Sequence, residues 1–167
     1  FYLYNFYFHF KLFNILILIF GFIRFSFGQE NNFPKPIGYV NDFENVLSLE
    51  EVTKLENLLI NYEKQTYNEL VIVTISKTEN EIDFDTYALD LSKNWGVGKR
   101  GKDNGLVLVI SNQLGRIRIC TGTGTGKILT DEICNTILEE NIIPNFKNGE
   151  IYNGIESGIN ALIEKWK

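Results

Sequence analysis

The feature that most constrains the fold is a run of apolar residues directly after a glycine-rich loop. Every residue from Leu106 to Ile110 is apolar, a pattern typical of a strand buried on both faces. The preceding loop contains glycines at four positions and the oxygen-bearing side chains of Asp103 and Asn104. Two interpretations are open: a plain helix-to-strand turn that uses these residues for their conformation, or a polar site on a rigid support.

Apolar periodicity and capping signals predict the remaining elements. Ser48 and Glu51 form a capping box that begins a helix, and Asp83 caps another helix that ends at Gly96. The predicted order is a helix over about 49–65, a strand over 69–77, a helix over about 84–95, a hairpin of strands over 105–111 and 116–120, a helix from Thr130 to near Pro144, and a helix over about 151–166. A strand–helix–strand unit implies a right-handed parallel crossover, and the hairpin adds an antiparallel neighbour. We therefore predict an α/β fold, a three-layer α/β/α sandwich with a mixed, mostly parallel sheet and one antiparallel hairpin strand.

The first 28 residues differ from the rest of the chain. Lys11 precedes an apolar stretch from Leu12 to Ile23, and Ser26 and Gly28 stand at the small-residue positions of a cleavage site. A spanning helix needs roughly 20 apolar residues, so an uncleaved N-terminal anchor is the less favoured alternative. The prediction is a signal peptide over 1–28, a linker over 29–38 and a domain over 39–167. The protein is then exported, periplasmic or secreted, and membrane-associated if the segment is not cleaved.

Charge and cysteine content limit the function. The net charge is −5, and the residues after position 28 carry 14 basic and 21 acidic side chains. This balance argues against a nucleic-acid surface and suits a hard cation or a solvated surface. Cys120 and Cys134 have two open interpretations, a disulfide in an exported protein or two small buried side chains.

Oxygen-bearing side chains in loops and at element ends form a candidate metal site. They are Asp42, Asp103, Asn104, Asp131 and Glu132. Calcium takes six to eight oxygen ligands and tolerates flexible loops, so Ca²⁺ is favoured over Zn²⁺, and Mg²⁺ or another divalent cation would use the same oxygens. The alternatives are helix capping for Asp131 and Glu132 and a turn role for Asp42. We expect the acidic residues from these distant segments to meet at one rim of the sheet.

Two basic residues of the loop, Lys99 and Arg100, are candidates for binding a phosphate beside the metal, with a solvated basic loop as the alternative. The one histidine, His9, lies in the predicted signal peptide. No nucleophile or general base is identified, so no catalytic residue is assigned.

The order of these motifs resembles that of the TPM domain family. Val40-x-Asp42 precedes the capped helix, and the chain continues with W-G-V-G-K-R-G-K-D-N-G-L-V-L-V-I, R-I-R-I-x-x-G-x-G, L-T-D and I-P-x-F-x-x-G. The likeness covers about Tyr39 to the C-terminus. The family includes the thylakoid lumen photosystem II repair protein and many exported bacterial proteins.

The resemblance implies an α/β/α sandwich outside the cytoplasm, divalent-metal binding with Ca²⁺ in some members, and an acid phosphatase activity in some. By position, the family's acidic loop residues correspond to Asp42, Asp103 and Asp131, whereas members often have Glu where this chain has Gly126. We expect a monomeric, exported, calcium-binding domain, without an organic cofactor, that acts in envelope or membrane-protein maintenance through protein partners. A metal-dependent acid phosphatase acting on phosphomonoesters is the first alternative, and a purely structural interaction domain is the second.

Overall fold

The computed structural model describes residues 33–78 and 82–167, so the predicted signal peptide over 1–28 lies outside the described residues. The strands are β1 (Val40–Asp42), β2 (Glu69–Thr74), β3 (Gly105–Ser111) and β4 (Arg116–Thr121). The helices are α1 (Leu49–Thr66), α2 (Phe84–Trp95), α3 (Asp131–Ile137), α4 (Ile143–Lys147) and α5 (Ile151–Lys165), with a 3₁₀ turn at Thr125–Lys127 and a π-helical turn at Leu138–Ile142.

The described strands form one sheet in the order β1-β2-β3-β4. β1, β2 and β3 run parallel, and β4 pairs antiparallel with β3. The sequence analysis did not predict β1, which has three residues and a buried polar side chain at its centre, Asn41. The Asn41 amide is satisfied there, because it donates to the carbonyls of Gly38 at 2.9 Å and Ile72 at 3.1 Å.

Helices cover both faces of the sheet, and the predicted α/β/α sandwich is confirmed. On one face, α2 packs through Tyr87, Ala88 and Leu91 against strand residues that include Val107. On the other face, α1, α3 and α5 pack against the alternate residues of the same strands, such as Leu108. The apolar run from Leu106 to Ile110 is fully buried because each of its faces has a helical layer.

Local signals set the helix boundaries where the sequence predicted them. The Ser48 capping box begins α1, Asp83 caps α2 through the backbone N–H groups of Asp85 and Thr86, and Gly96 ends α2 in a left-handed conformation. The helix predicted from Thr130 to Pro144 has a different form. It is divided into α3, a π-helical turn and α4, with Pro144 in the first turn of α4.

The two cysteines lie in different layers of the sandwich. Both are free and buried. Cys120 belongs to the apolar cluster under α2, whereas Cys134 belongs to the cluster on the opposite face of the sheet. The second interpretation from the sequence, two small buried side chains, therefore describes the structure.

The described part of the predicted linker contacts α2. The Phe33 ring packs edge-on against Tyr87 with 5.1 Å between ring centroids, and the Trp95 indole N–H donates to the Pro34 carbonyl at 2.8 Å. Within residues 33–78 and 82–167, none of the helices has the length and apolar content required to cross a membrane.

Candidate functional site

The acidic residues predicted to share one rim lie at opposite ends of the sheet. Asp42 is the last residue of β1 and is aligned with Thr74, which ends β2. Asp103 precedes β3, whose first residue Gly105 is aligned with Glu69 at the start of β2. The two ends are five residues apart along β2, about 17 Å at the usual rise per residue. The prediction that Asp42 and Asp103 meet at one rim is therefore wrong, because Asp42 ends one parallel strand and Asp103 precedes another.

The Asp42 carboxylate is occupied in holding the turn between β1 and α1. One oxygen accepts from the Thr74 hydroxyl at 2.6 Å and from the Val46 N–H at 3.2 Å. The other accepts from the Leu47 N–H at 2.8 Å. The alternative given for this residue, a turn role, accounts for these contacts.

Asp103 lies where the loop before β3 meets the loop after β4. Its carboxylate accepts from the Thr123 hydroxyl at 2.8 Å, and its backbone carbonyl accepts from the N–H groups of Gly124 at 3.1 Å and Thr125 at 3.3 Å. Asp103 itself is exposed and has a positive φ of 48°, a conformation that Asp and Asn tolerate better than most residues. We call this meeting of residues 96–104 and 122–126 the loop end.

Glycine is required in the second loop because the two backbones approach very closely. A methyl group at Gly122 would overlap the carbonyl oxygen of Asp103, and one at Gly124 would overlap the carbonyl oxygen of Lys102. Gly126 is different, because a Cβ there would meet only the Thr121 hydroxyl, at 3.3 Å. Position 126 can therefore accept a larger side chain without a clash with the backbone.

The Asn104 side chain fixes the first loop rather than facing a ligand. Its oxygen accepts from the Lys99 N–H at 2.9 Å, and its nitrogen donates to the Tyr67 carbonyl at 2.7 Å and to the Asn68 side chain at 3.2 Å. Both polar ends of the amide are thus used within the protein.

The two candidate phosphate-binding residues have different surroundings. The Lys99 ammonium is hydrogen-bonded to the Glu63 carboxylate and lies 3.8 Å from Glu69, which draws it toward α1. Arg100 is exposed. A basic side chain that the sequence analysis did not select, Lys93 of α2, lines the cavity beside Asp103.

The ion pair of Lys99 belongs to a small network that also includes Tyr39. The Tyr39 hydroxyl donates to the Glu63 carboxylate, and this bond raises the pKa of Tyr39 to about 12. Hydrogen bonds from Lys99 and Tyr39 lower the pKa of the Glu63 carboxyl. The network joins the residue before β1, helix α1 and the first glycine loop.

A cavity of about 370 Å³ lies beside Asp103 at the loop end. Its floor includes the apolar side chains of Val107 and Cys120, and its polar lining includes Ser92, Lys93, Asp103, Thr121 and Thr123. The sequence analysis missed Thr121 and Thr123, although the alternation of Thr and Gly over residues 121–126 was a signal for a loop with repeated hydroxyl groups.

Asp131 and Glu132 occupy the first turn of α3 and are exposed. Thr130 caps this helix by accepting from the Ile133 N–H at 3.4 Å, so the two carboxylates complement the positive end of the helix dipole. Asp131 lines a separate slot with Asp85 and Arg118, whereas the cavity beside Asp103 is lined by other residues.

The donors at the loop end are of the oxygen type that calcium prefers, but they are few. In the part of the chain that the structure describes, no three His, Cys, Asp or Glu side chains are placed to share a metal ion. At the loop end, the Asp103 carboxylate and the Thr123 hydroxyl stand 2.8 Å apart, and the surrounding loops supply backbone carbonyls. A site with one carboxylate resembles weak calcium modules rather than high-affinity ones.

In the described part of the chain, a mixed four-stranded sheet lies between helical layers and two glycine loops meet at one end of it, which defines an α/β/α sandwich. A family model described as the TPM domain matches residues 40–165, and the chain belongs to that family, as its motifs indicated. No curated protein sequence matches the chain.

Solved structures with a similar fold include three bacterial examples. The N-terminal domain of a P. gingivalis protein is 27% identical with a TM-score of 0.69, and the match covers 76% of this chain and 80% of that one. The BA42 protein of Bizionia argentinensis is 22% identical with a TM-score of 0.65, covering 75% and 88%. The N-terminal domain of a Corynebacterium glutamicum protein is 13% identical with a TM-score of 0.61, covering 81% and 85%. The last two likenesses concern the fold alone.

Proposed function

We propose that this TPM domain is an exported module that binds a divalent cation, calcium, at the loop end. The observation that carries the proposal is the pairing of the Asp103 carboxylate with the Thr123 hydroxyl, 2.8 Å apart, where two backbones are in contact. Asp103 would supply the charged ligand and Thr123 a neutral one, with backbone carbonyls and water completing the oxygen shell.

A single carboxylate predicts weak binding. Calcium affinity follows the number of charged ligands and the rigidity of the site, and weak extracellular modules have Kd values on the order of 0.1–1 mM. Such an affinity is typical of modules that work outside the cell, and the predicted signal peptide would direct this protein out of the cytoplasm. The proposed role is maintenance of envelope or membrane proteins through protein partners, with the cation ordering the two loops.

The test is a calcium titration of the isotope-labelled protein followed by amide NMR. Calcium should change the amide chemical shifts mainly at residues 102–104 and 122–126, and these changes should be absent in Asp103→Asn. Asn tolerates the left-handed backbone of Asp103 and keeps an oxygen that can accept from Thr123, so this variant removes charge while the fold persists.

Asp42→Asn is the matched control, since it removes a carboxylate at the other end of the sheet. Calcium binding that is retained in Asp42→Asn and lost in Asp103→Asn would assign the cation to the loop end. A flat response of the unmodified protein, or equal binding by Asp103→Asn, would contradict the proposal.

The cavity beside Asp103 favours a second candidate function, hydrolysis of phosphomonoesters. The cavity has a volume of about 370 Å³, which is within the range of small-molecule sites. Lys93 lines this cavity, and its positive charge would attract a phosphate. A bound cation would polarise a phosphoryl oxygen, while Asp103 would hold the cation and Lys93 the anion. The apolar floor would receive the alcohol portion of the ester.

Turnover of p-nitrophenyl phosphate in the presence of calcium or magnesium tests this second candidate. Asp103→Asn should abolish turnover, Lys93→Gln should raise KM, and Asp42→Asn should leave both kinetic constants unchanged. Turnover that is the same in Asp103→Asn and in the unmodified protein would exclude the loop end as its source.

A further inference from the structure

One residue at the start of β2 is bonded to both ends of the first glycine loop. The Glu69 backbone N–H donates to the Asn104 carbonyl at 3.1 Å, at the end of the loop. The Glu69 carboxylate accepts from the Gly98 N–H at 3.0 Å, near the start of the loop. Residues 98–104, which include Asp103, therefore run from the side chain of Glu69 to its backbone.

Hydrogen bonds within the loop connect these two attachment points to Asp103. The Lys99 carbonyl accepts from the N–H groups of Lys102 at 3.0 Å and Asp103 at 3.1 Å. The Lys99 N–H donates to the Asn104 side chain at 2.9 Å. Because these bonds close residues 99–104 into a turn, the position of the Asp103 carboxylate depends on where the turn is attached to the rest of the domain.

The side-chain bond of Glu69 lies where the loop packs against the sheet. A methyl group at Gly105 would overlap the Val97 carbonyl oxygen, and one at Gly98 would lie 2.6 Å from the Gly105 nitrogen. The loop backbone thus crosses the first residue of β3 just before the turn that contains Asp103. The Glu69 side chain is 26% exposed, and its carboxylate holds the backbone at this crossing.

Glu69 also contacts Lys99, but its bond to the backbone is the stronger of the two interactions. The carboxylate lies 3.8 Å from the Lys99 ammonium, which is itself hydrogen-bonded to Glu63. The Lys99 side chain is 46% exposed, and exposed ion pairs contribute little to stability. A carboxylate that accepts from a backbone N–H forms a charge-assisted bond, which is stronger than a neutral one.

We propose that Glu69 is the positioning residue of the loop end. Its carboxylate holds Gly98 and thereby fixes the loop that presents Asp103 to a cation. This inference rests on the calcium site proposed above, and Glu69 acts on that site through the backbone of Gly98 rather than as a ligand. Groups that fix the orientation of a metal ligand affect metal affinity although they do not touch the ion.

Substitutions that separate the reach of the Glu69 side chain from its charge test this role. Glu69→Asp keeps the charge, but its carboxylate is one methylene short of the Gly98 N–H. Glu69→Gln keeps the reach and one acceptor oxygen but loses the charge. Glu69→Asp should weaken calcium binding about tenfold, and Glu69→Gln, which forms a neutral bond, about threefold. Isothermal titration calorimetry measures the affinities.

Glu63→Asp and Glu56→Asp are the matched controls, since each shortens a carboxylate of α1 in the same way. The Glu63 carboxylate accepts from the side chains of Tyr39 and Lys99, so its shortening should weaken calcium binding about threefold or less. The Glu56 carboxylate accepts from the backbone N–H groups of Tyr39 at 3.0 Å and Val40 at 2.7 Å. Glu56→Asp should therefore lower the stability to denaturant without changing the calcium affinity.

Amide hydrogen exchange measured without calcium reports on the loop directly. In Glu69→Asp, exchange should be several-fold faster at residues 98–103, whereas Glu56→Asp should leave these rates unchanged. A dispersed amide spectrum for each variant verifies folding. The measurement also separates the two hypotheses: a lack of calcium binding by the unmodified protein would contradict the proposed function, while faster exchange in Glu69→Asp would still support the positioning role.

Three results would overturn the positioning role. The first is the same exchange at residues 98–103 in Glu69→Asp and in the unmodified protein. The second is equal calcium affinity of Glu69→Asp and the unmodified protein. The third is a larger loss of affinity in Glu69→Gln than in Glu69→Asp, which would assign the effect to charge alone.

Discussion

The hydroxyl of Thr123 donates a hydrogen bond to the Asp103 carboxylate, with 2.8 Å between the oxygens, and joins the two glycine loops. Thr123→Val removes this bond and one proposed calcium ligand without changing side-chain shape. Because the bonds from Gly124 and Thr125 to the Asp103 carbonyl remain, we expect the free energy of unfolding to fall by about 1 kcal/mol or less.

The same variant should weaken calcium binding several-fold, measured by NMR titration and compared with denaturant unfolding. Thr53→Val, on the exposed face of α1, controls for the loss of a threonine hydroxyl. An unchanged calcium affinity in Thr123→Val would show that this hydroxyl is not a ligand.

Gly126→Glu should strengthen calcium binding by about tenfold, since it adds a second carboxylate at the loop end. The structure leaves room for it, with only the Thr121 hydroxyl near the new Cβ and a backbone conformation that does not require glycine. Isothermal titration calorimetry measures the affinity. Gly126→Gln has the same size without the charge and should bind calcium as the unmodified protein does; an equal gain in both variants would contradict the role given to charge.

Asp42→Ala should destabilise the domain and leave calcium binding intact. The carboxylate accepts three hydrogen bonds in the turn before α1, and losing such a partly buried acceptor costs about 1–3 kcal/mol. Chemical denaturation measures the loss. Asp42→Asn keeps one acceptor oxygen, so its free energy of unfolding should fall less than that of Asp42→Ala. Equal stability of Asp42→Ala and the unmodified protein would refute the structural role of this residue.

Acid stability should depend on Glu63. Hydrogen bonds from Lys99 and Tyr39 hold the pKa of the Glu63 carboxyl below its ordinary value near 4.5. A carboxyl whose pKa is lower in the folded state stabilises that state above its unfolded pKa, and the stabilisation is lost as pH falls through the folded pKa. Glu63→Gln should therefore lose less stability than the unmodified protein between about pH 5 and pH 3.

Urea unfolding across this pH range measures the difference. Glu132→Gln, at an exposed carboxylate on α3, controls for the change in net charge. Parallel pH profiles for Glu63→Gln and the unmodified protein would show that the network does not contribute to acid sensitivity.

Tyr62→Phe should lower the free energy of unfolding by about 1–2 kcal/mol. The Tyr62 hydroxyl donates to the Trp166 carbonyl at 2.7 Å in a buried contact that joins α1 to the end of α5. Thermal or denaturant unfolding measures the effect. Tyr67→Phe, at a side chain that is 65% exposed, is the matched control and should change stability little. Equal effects of the two substitutions would contradict the buried bond.

Much of the fold was determined by signals within a few residues of each other. The apolar run Leu106–Ile110 predicted a doubly buried strand, the Ser48 and Asp83 caps placed the starts of α1 and α2, and Gly96 placed the end of α2. Apolar periodicity and helix capping depend on residues within a single helix or strand, so both can be recognised from the sequence alone. The sequence analysis did not predict the short strand β1, because three residues are too few to show an apolar period.

The composition of the site was determined by the tertiary structure. Whether Asp42 and Asp103 meet depends on β1 and β3 both running parallel to β2, since the last residue of one parallel strand and the residues before another lie at opposite ends of the sheet. The partner of Asp103 is Thr123, which follows β4 and reaches the same end only because β4 runs antiparallel. The sequence by itself thus supplied the oxygen-bearing loops and the strands that hold them, while strand direction and register decided which loops meet.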